Sequence, residues 1–179
     1  MSARIFARLG LTSLLASSLA VGTALPASAH SQVARRTPVL ARAPLTASGL
    51  ACPVGSGRSV TNSFGDARGG GRRHEGIDIM APYGTPIYAI EGGVVQKAYA
   101  NSRGGLSIFL RGRSGVEYFY AHQSANLVST GQAVVAGQVI GRVGTSGNAA
   151  GSAPHLHFEK LAAGREPVDP YPLVRGICG

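Results

Sequence analysis

The sequence predicts an all-β domain, compact and mostly antiparallel, with few or no helices. Three observations point there. The chain of 179 residues carries 26 glycines and 10 prolines, which break regular structure and mark frequent turns. No stretch shows the 3.6-residue apolar period and capping signals of a convincing helix. Short runs rich in β-branched and aromatic residues recur instead, separated by glycine-containing turns.

Taken in order, the expected strands are Thr85–Ala89, Gly93–Tyr99, Leu106–Arg111, Val116–His122, Gln132–Val135, Gln138–Val143 and His155–Leu161. Val116–His122 is aromatic and alternating, the pattern of a half-buried strand. Ser102–Gly105 and Gly112–Gly115 read as hairpin turns. Hydrophobic residues make up 44% of the chain, enough for one packed core, and the length suits one domain plus an export signal.

Three segments are expected along the chain. Residues 1–29 read as a signal peptide: Arg4 and Arg8 supply a positive start, Leu9–Ala24 is apolar, and Ala27-Ser28-Ala29 is an A-x-A cleavage site before His30. The apolar run is short and Ser-rich for a membrane anchor, so no stable membrane insertion is expected. Residues 30–50, rich in Ala, Arg, Pro, Ser and Thr, read as a flexible linker or processed segment. Residues 51–179 form the folded domain. In an exported chain two cysteines invite pairing, and Cys52 with Cys178 would tie the ends of that domain together. A cysteine-based zinc site is not expected, because there is no C-x-x-C pair.

The formal charge is +9, and removing the leader leaves 15 basic residues against 8 acidic. These are scattered, with no basic helix and no stacked-aromatic platform, so no nucleic-acid role is expected.

The chemistry-bearing residues are the histidines at 74, 122, 155 and 157, together with Asp78. On a strand, residues i and i+2 share a face about 7 Å apart, so His155 and His157 can converge on one small centre while Leu156 points into the core. Both could bind a metal, or one could bind while its neighbour handles a proton. His74 and Asp78 would lie about 13 Å apart in a straight strand, so Gly76 is expected to bend the chain between them. Glu75 resembles the base of H-E-x-x-H metalloproteases, but the second histidine is missing and no helix is expected there. Two imidazoles and one carboxylate are a common catalytic-zinc set, with solvent in the fourth position. Zinc lowers the pKa of that water towards 7 and polarises a carbonyl under attack, and an imidazole suits the neighbouring base.

These residues sit in blocks that resemble the lysostaphin-type (LytM-like) zinc endopeptidases over roughly residues 60–160. The blocks are Asn62-Ser63-Phe64-Gly65 with Arg68, His74-Glu75-Gly76-Ile77-Asp78-Ile79, Ala81-Pro82-Tyr83-Gly84-Thr85-Pro86-Ile87 and Gly92-Gly93-Val94-Val95. Tyr120-Ala121-His122, Gly141-Arg142-Val143-Gly144, Thr145-Ser146-Gly147 and His155-Leu156-His157-Phe158-Glu159 follow in order. The resemblance implies a β-sheet core with a substrate groove over one zinc ion, held by His74, Asp78 and His157. It implies His155 as general base or water-orienting residue, and His122 as the group that holds or stabilises the reacting centre. The implied activity is hydrolysis of peptide bonds in the cross-links or stems of peptidoglycan; with the leader read above, a secreted enzyme at the cell wall is expected, and a monomer. Anionic wall polymers are then the expected counter-surface for the basic chain.

Two other readings exist. Gly92-Gly93-Val94-Val95 and Ala136-Gly137-Gln138-Val139-Ile140 also occur in lipoyl- and biotinyl-carrier sandwiches, but Lys97 and Lys160 lie in strands rather than at a tight turn. A non-catalytic peptidoglycan-binding or amidase-activator domain is the nearer alternative, against which all four histidines and Asp78 are retained.

Overall fold

A computed structural model describes residues 42–162 and 165–179. The expected signal peptide and most of the expected linker lie outside the described residues. Among those described, no helix is long and apolar enough to cross a membrane.

The domain is built on one antiparallel sheet. Its strands are β1 (Ser59–Val60), β4 (Ile77–Met80), β5 (Pro86–Tyr88), β6 (Gly93–Asn101), β7 (Gly105–Gly112), β8 (Glu117–Asn126), β9 (Ala133–Val134), β10 (Val139–Val143), β11 (His155–Leu161) and β12 (Pro167–Val168). The main path runs β1-β4-β11-β8-β7-β6-β9, with β10 bridging β5 and β8 and β12 flanking β11. A separate two-stranded ribbon pairs β2 (Ala67–Arg68) with β3 (Arg72–Arg73). All seven expected strands occur, with ends shifted by a few residues. The short strands β1, β2, β3 and β12 have too few residues to show a period of two.

One helix, α1 (Tyr171–Cys178), closes the described chain. Eight residues are too few for a legible apolar stripe in the sequence. Pro172 falls in its first turn, where a missing N–H costs nothing. Asp169 Oδ1 accepts from the Tyr171 N–H at 2.8 Å, and Val174 and Cys178 face the core. Cys178 bonds Cys52 across a separation of 126 residues, so the helix is tied to the start of the domain. Part of the segment expected as linker is docked as well. The Ala43 N–H donates to the Gly137 carbonyl at 2.9 Å, and Leu45 bridges Ala51 after a turn in which the Gly49 N–H donates to the Thr46 carbonyl.

Alternation places the core. Along β4 and β11, Ile77, Ile79, Leu156 and Phe158 are fully buried, whereas Asp78, His155 and His157 lie on the other face. Ile108, Leu110, Tyr118 and Tyr120 extend the same apolar layer across β7 and β8. Register then positions the site: His157 pairs with Asp78 on one side and Ala121 on the other, so β11 lies between the two strands it needs.

Gly76 is required here by proximity. A Cβ at this position would sit 2.3 Å from the Phe158 carbonyl oxygen. The Gly76→Ala variant should therefore push β4 from β11 and lose more than about 2 kcal/mol of stability, measured by urea unfolding. Replacing Cys52 and Cys178 by serine should cost about 2–5 kcal/mol in the same measurement, given the length of the closed loop.

Candidate functional site

His74 follows β3, and the break at Glu75-Gly76 turns the chain into β4, as the spacing of His74 and Asp78 requires. His74 is buried, and its Nε2 lies 3.1 Å from Asp78 Oδ1. His157 Nδ1 lies 3.1 Å from the same oxygen and 2.9 Å from His74 Nε2. Three atoms from separate side chains thus form a nearly equilateral triangle.

Their chemistry follows from their outer partners. The Nδ1–H of His74 donates to the Ser63 carbonyl at 2.7 Å, which leaves Nε2 with a lone pair. The Nε2–H of His157 donates to Glu159 Oε1 at 2.8 Å, which leaves Nδ1 with a lone pair. Arg68 Nη2 donates to Asp78 Oδ2 at 2.7 Å and leaves Oδ1 facing the imidazoles. Arg68 also approaches His74 Nδ1, but both groups there carry protons, so the carboxylate is its acceptor. Three acceptors facing one another repel unless a proton or a cation lies among them. A tetrahedral ion with bonds of about 2.0–2.1 Å separates its ligands by about 3.3 Å, close to the edges of this triangle. The donor set fits zinc, and partners that orient each donor are usual around such ions.

Two further histidines stand beside the triangle. His155 Nε2 is 3.9 Å from Asp78 Oδ1, and its Nδ1–H donates to the Ala153 carbonyl at 2.8 Å. The His122 ring centroid is 5.0 Å from that of His155 and 5.8 Å from that of His157. The structure brings together all five residues singled out in the sequence.

His122 reaches the site by an unusual route. Tyr118 and Tyr120 on β8 face the core, so simple alternation would send His122 there too. At His122 φ is 62°, in the left-handed region, and the pairing of β8 with its neighbours is irregular nearby. The ring turns into the groove instead. Its backbone N–H donates to the Gly104 carbonyl at 2.8 Å, and its Nδ1–H donates to the Ser146 carbonyl at 2.9 Å. Ser146 is itself anchored, with Oγ donating to the Gln123 carbonyl at 2.6 Å and accepting from the Leu106 N–H at 2.9 Å. Strain of this kind persists only where surrounding structure enforces it, and it clusters at functional sites.

Burial holds His122 neutral, pulled down to about 4, with the neighbouring imidazoles adding to the effect. For His157 burial also opposes the cation, but hydrogen bonds to Asp78 and Glu159 outweigh it and lift the group to about 9. Burial would raise Asp78, yet its bonds with His157 and His74 hold it well below the usual carboxylate range. The site accordingly keeps a positive charge between the imidazoles and Asp78.

The sequence singled out neither Ser63 and Glu159 as orienting partners nor Ser146 as the anchor of His122. Glu159 had a legible signal, since it lies two residues beyond His157 on the same strand face. Ser63 and Ser146 lie in blocks that carry the family resemblance, but their orienting contacts come from loops and have no local signal. All four imidazoles face one groove of about 480 Å³, whose lining also includes Phe109 and Phe119, stacked at 4.5 Å.

An antiparallel sheet that gathers two imidazoles and a carboxylate in an open groove, with unliganded imidazoles beside them, has the layout of the metal-dependent hydrolases. The family can be stated more narrowly. The sequence model of peptidase family M23 matches residues 72–170, more than half of the sequence, and the chain belongs to this family. It is 42% identical over 135 residues to an L-Ala–D-Glu endopeptidase of Bacillus subtilis, covering 69% of this chain and 41% of the relative. Identity is 38% over 112 residues to the peptidoglycan DD-endopeptidase ShyC of Vibrio cholerae, covering 60% and 25%. It is 36% over 110 residues to the glycyl-glycine endopeptidase ALE-1 of Staphylococcus capitis, covering 59% and 30%. The chain spans less than half the length of each of these relatives. Among solved structures, the catalytic domain of the antimicrobial peptidase lysostaphin from Staphylococcus simulans superposes with a TM-score of 0.59 at 32% identity, covering 65% of this chain and 92% of that one.

In chelator-treated protein His157 should remain cationic through neutral pH. Its raised pKa stabilises the fold fully below about 6.5, and that contribution is lost as pH rises through about 9. Glu159→Gln should move the His157 midpoint downward, as followed by imidazole NMR.

Proposed function

We propose that this chain is a zinc-dependent metalloendopeptidase, exported to the cell wall, which hydrolyses peptide bonds in the cross-links or stem peptides of peptidoglycan. The observation that carries the reading is the triangle of His74 Nε2, Asp78 Oδ1 and His157 Nδ1, with edges of 2.9–3.1 Å. Family membership and the activities of the relatives support it. So does the signal-peptide pattern at the start of the sequence.

His74, Asp78 and His157 would hold one zinc ion. When bound, zinc polarises the scissile carbonyl and makes water a competent nucleophile near neutral pH. The remaining steps belong to the chain's own side chains. His155 donates its Nδ1–H to the Ala153 carbonyl, so its Nε2 is free to take a proton from the attacking water. His122 is held neutral with Nδ1–H committed to Ser146, so its Nε2 also acts as an acceptor and orients that water. His155 then returns the proton to the departing amine. Arg68, Ser63 and Glu159 keep the ligand atoms aimed inward and take no part in proton transfer.

Metal analysis of the purified protein should return one zinc per chain, and liquid chromatography with mass spectrometry should detect fragments released from purified peptidoglycan. His74→Ala and Asp78→Ala should abolish both zinc binding and release. His155→Ala should keep its zinc and lose roughly 10²–10⁴-fold in rate. Wild-type turnover by the His155 variant would overturn its assignment as base. Intact, zinc-loaded protein that releases nothing from any wall would favour the non-catalytic alternative.

A further inference from the structure

Three arginines line the groove without an ion-pair partner among the described residues. Arg72 and Arg73 come from β3, and Arg103 comes from the turn between β6 and β7. Arg72 Nε donates to the Gly69 carbonyl at 3.2 Å, and Arg73 Nη1 donates to the Gly65 carbonyl at 3.1 Å. Among the described residues, the arginines in ion pairs are Arg68, Arg111 and Arg165. The Arg103 backbone is fixed on both sides of its peptide: its N–H donates to Asn101 Oδ1 at 2.9 Å, and its carbonyl accepts from the Asn148 N–H at 3.0 Å. Its exposed side chain thus springs from a held base.

The carboxylates lining the same groove are Glu75, Asp78 and Glu159. Asp78 is committed to the imidazoles and Arg68, and Glu159 to His157. Glu75 alone is left to balance three guanidinium groups. A groove with this surplus, backed by the apolar rings of Phe109 and Phe119, focuses positive potential on whatever peptide lies in it. Guanidinium forks pair with carboxylates in a planar, two-bonded geometry that a neutral amide cannot match in charge.

We propose that the groove selects peptides carrying a free carboxylate close to the scissile bond, held by Arg103 with Arg72 and Arg73, and discriminates against uncharged bridges. The relatives' activities include both chemistries, an L-Ala–D-Glu bond beside an acidic residue and a glycyl-glycine bond without side-chain charge. The charge surplus places this chain with the first. The proposal rests on the hydrolase reading above and adds its substrate class.

The test compares three substrates with the zinc-loaded protein. One is a cross-linked stem-peptide dimer whose D-Glu α-carboxylate is free, the second is the same dimer amidated there, and the third is pentaglycine. The wild type should cleave the carboxylate dimer with kcat/KM about tenfold or more above the amidated one, the scale of one charged hydrogen-bonded pair. Raising salt should narrow that gap. Arg103→Gln, alone and with Arg72→Gln and Arg73→Gln, should narrow it through loss on the carboxylate dimer, and circular dichroism and zinc content report whether each variant is folded. Equal rates on the two dimers, preference for pentaglycine, or a gap unchanged in the triple variant overturns the proposal. Failure to cleave any substrate would instead sink the hydrolase reading. In that event, calorimetric binding of the two dimers to the His155→Ala protein decides: tighter binding of the carboxylate form upholds the selection, and equal affinity ends it.

Discussion

The pairing register between β4 and β11 is the constraint on which the rest of the site depends. Asp78 lies directly opposite His157, and Ile79 lies opposite Leu156. Because side chains alternate faces, a slip of one residue would drive Asp78 into the apolar layer and bring Ile79 out beside the histidines. The hydrophobic residues of these two strands, buried together, therefore enforce the approach of polar groups that repel one another. Core packing opposes that repulsion, and an ion or a proton between the groups relieves it.

The polar groups are arranged in two tiers with different jobs. The inner tier consists of nitrogen and oxygen atoms aimed at a common point. The outer tier, made of the Ser63, Ala153 and Ser146 carbonyls, Glu159 and Arg68, takes up the other hydrogen-bonding atom of each inner group. Each imidazole can carry one proton when neutral, and that proton is spent outward. What remains inside is a set of lone pairs, the electronic requirement for binding a dication and for accepting protons. Four imidazoles close together would be costly as cations. Without a bound cation, the raised pKa of His157 places a proton among these lone pairs, where a dication would otherwise lie.

The left-handed backbone at His122 shows how the fold combines elements of different strength. β8 supplies Tyr118 and Tyr120 to the core, and continued alternation would bury the next even-numbered side chain with them. The loop bearing Ser146 interlocks with the β6–β7 turn so closely that a Cβ at Gly105 would overlap Ser146 Oγ and one at Gly147 would overlap the Gly105 backbone. This interlock holds His122 in its strained conformation. An imidazole of the groove is thereby set by contacts far from it in sequence, in a corner of the sheet.

Much of this was legible in the residues themselves. Alternating apolar runs located the long strands, because a period of two is a local property of a half-buried strand. The i, i+2 spacing put His155 and His157 on one face for the same reason, and the 13 Å span from His74 to Asp78 demanded a bend. The family resemblance joined these pieces into one site. Other features needed the tertiary structure. Gly76 proved necessary through the approach of the Phe158 carbonyl, which is a contact between distant segments. The eight-residue helix forms because Val174 and Cys178 have a core and a disulfide to pack against. The orientation of His122, the proton on each imidazole and the uncompensated arginines along the groove all depend on which partners lie across space. Local periodicity can declare which face a side chain occupies, but only the folded chain decides what that face meets.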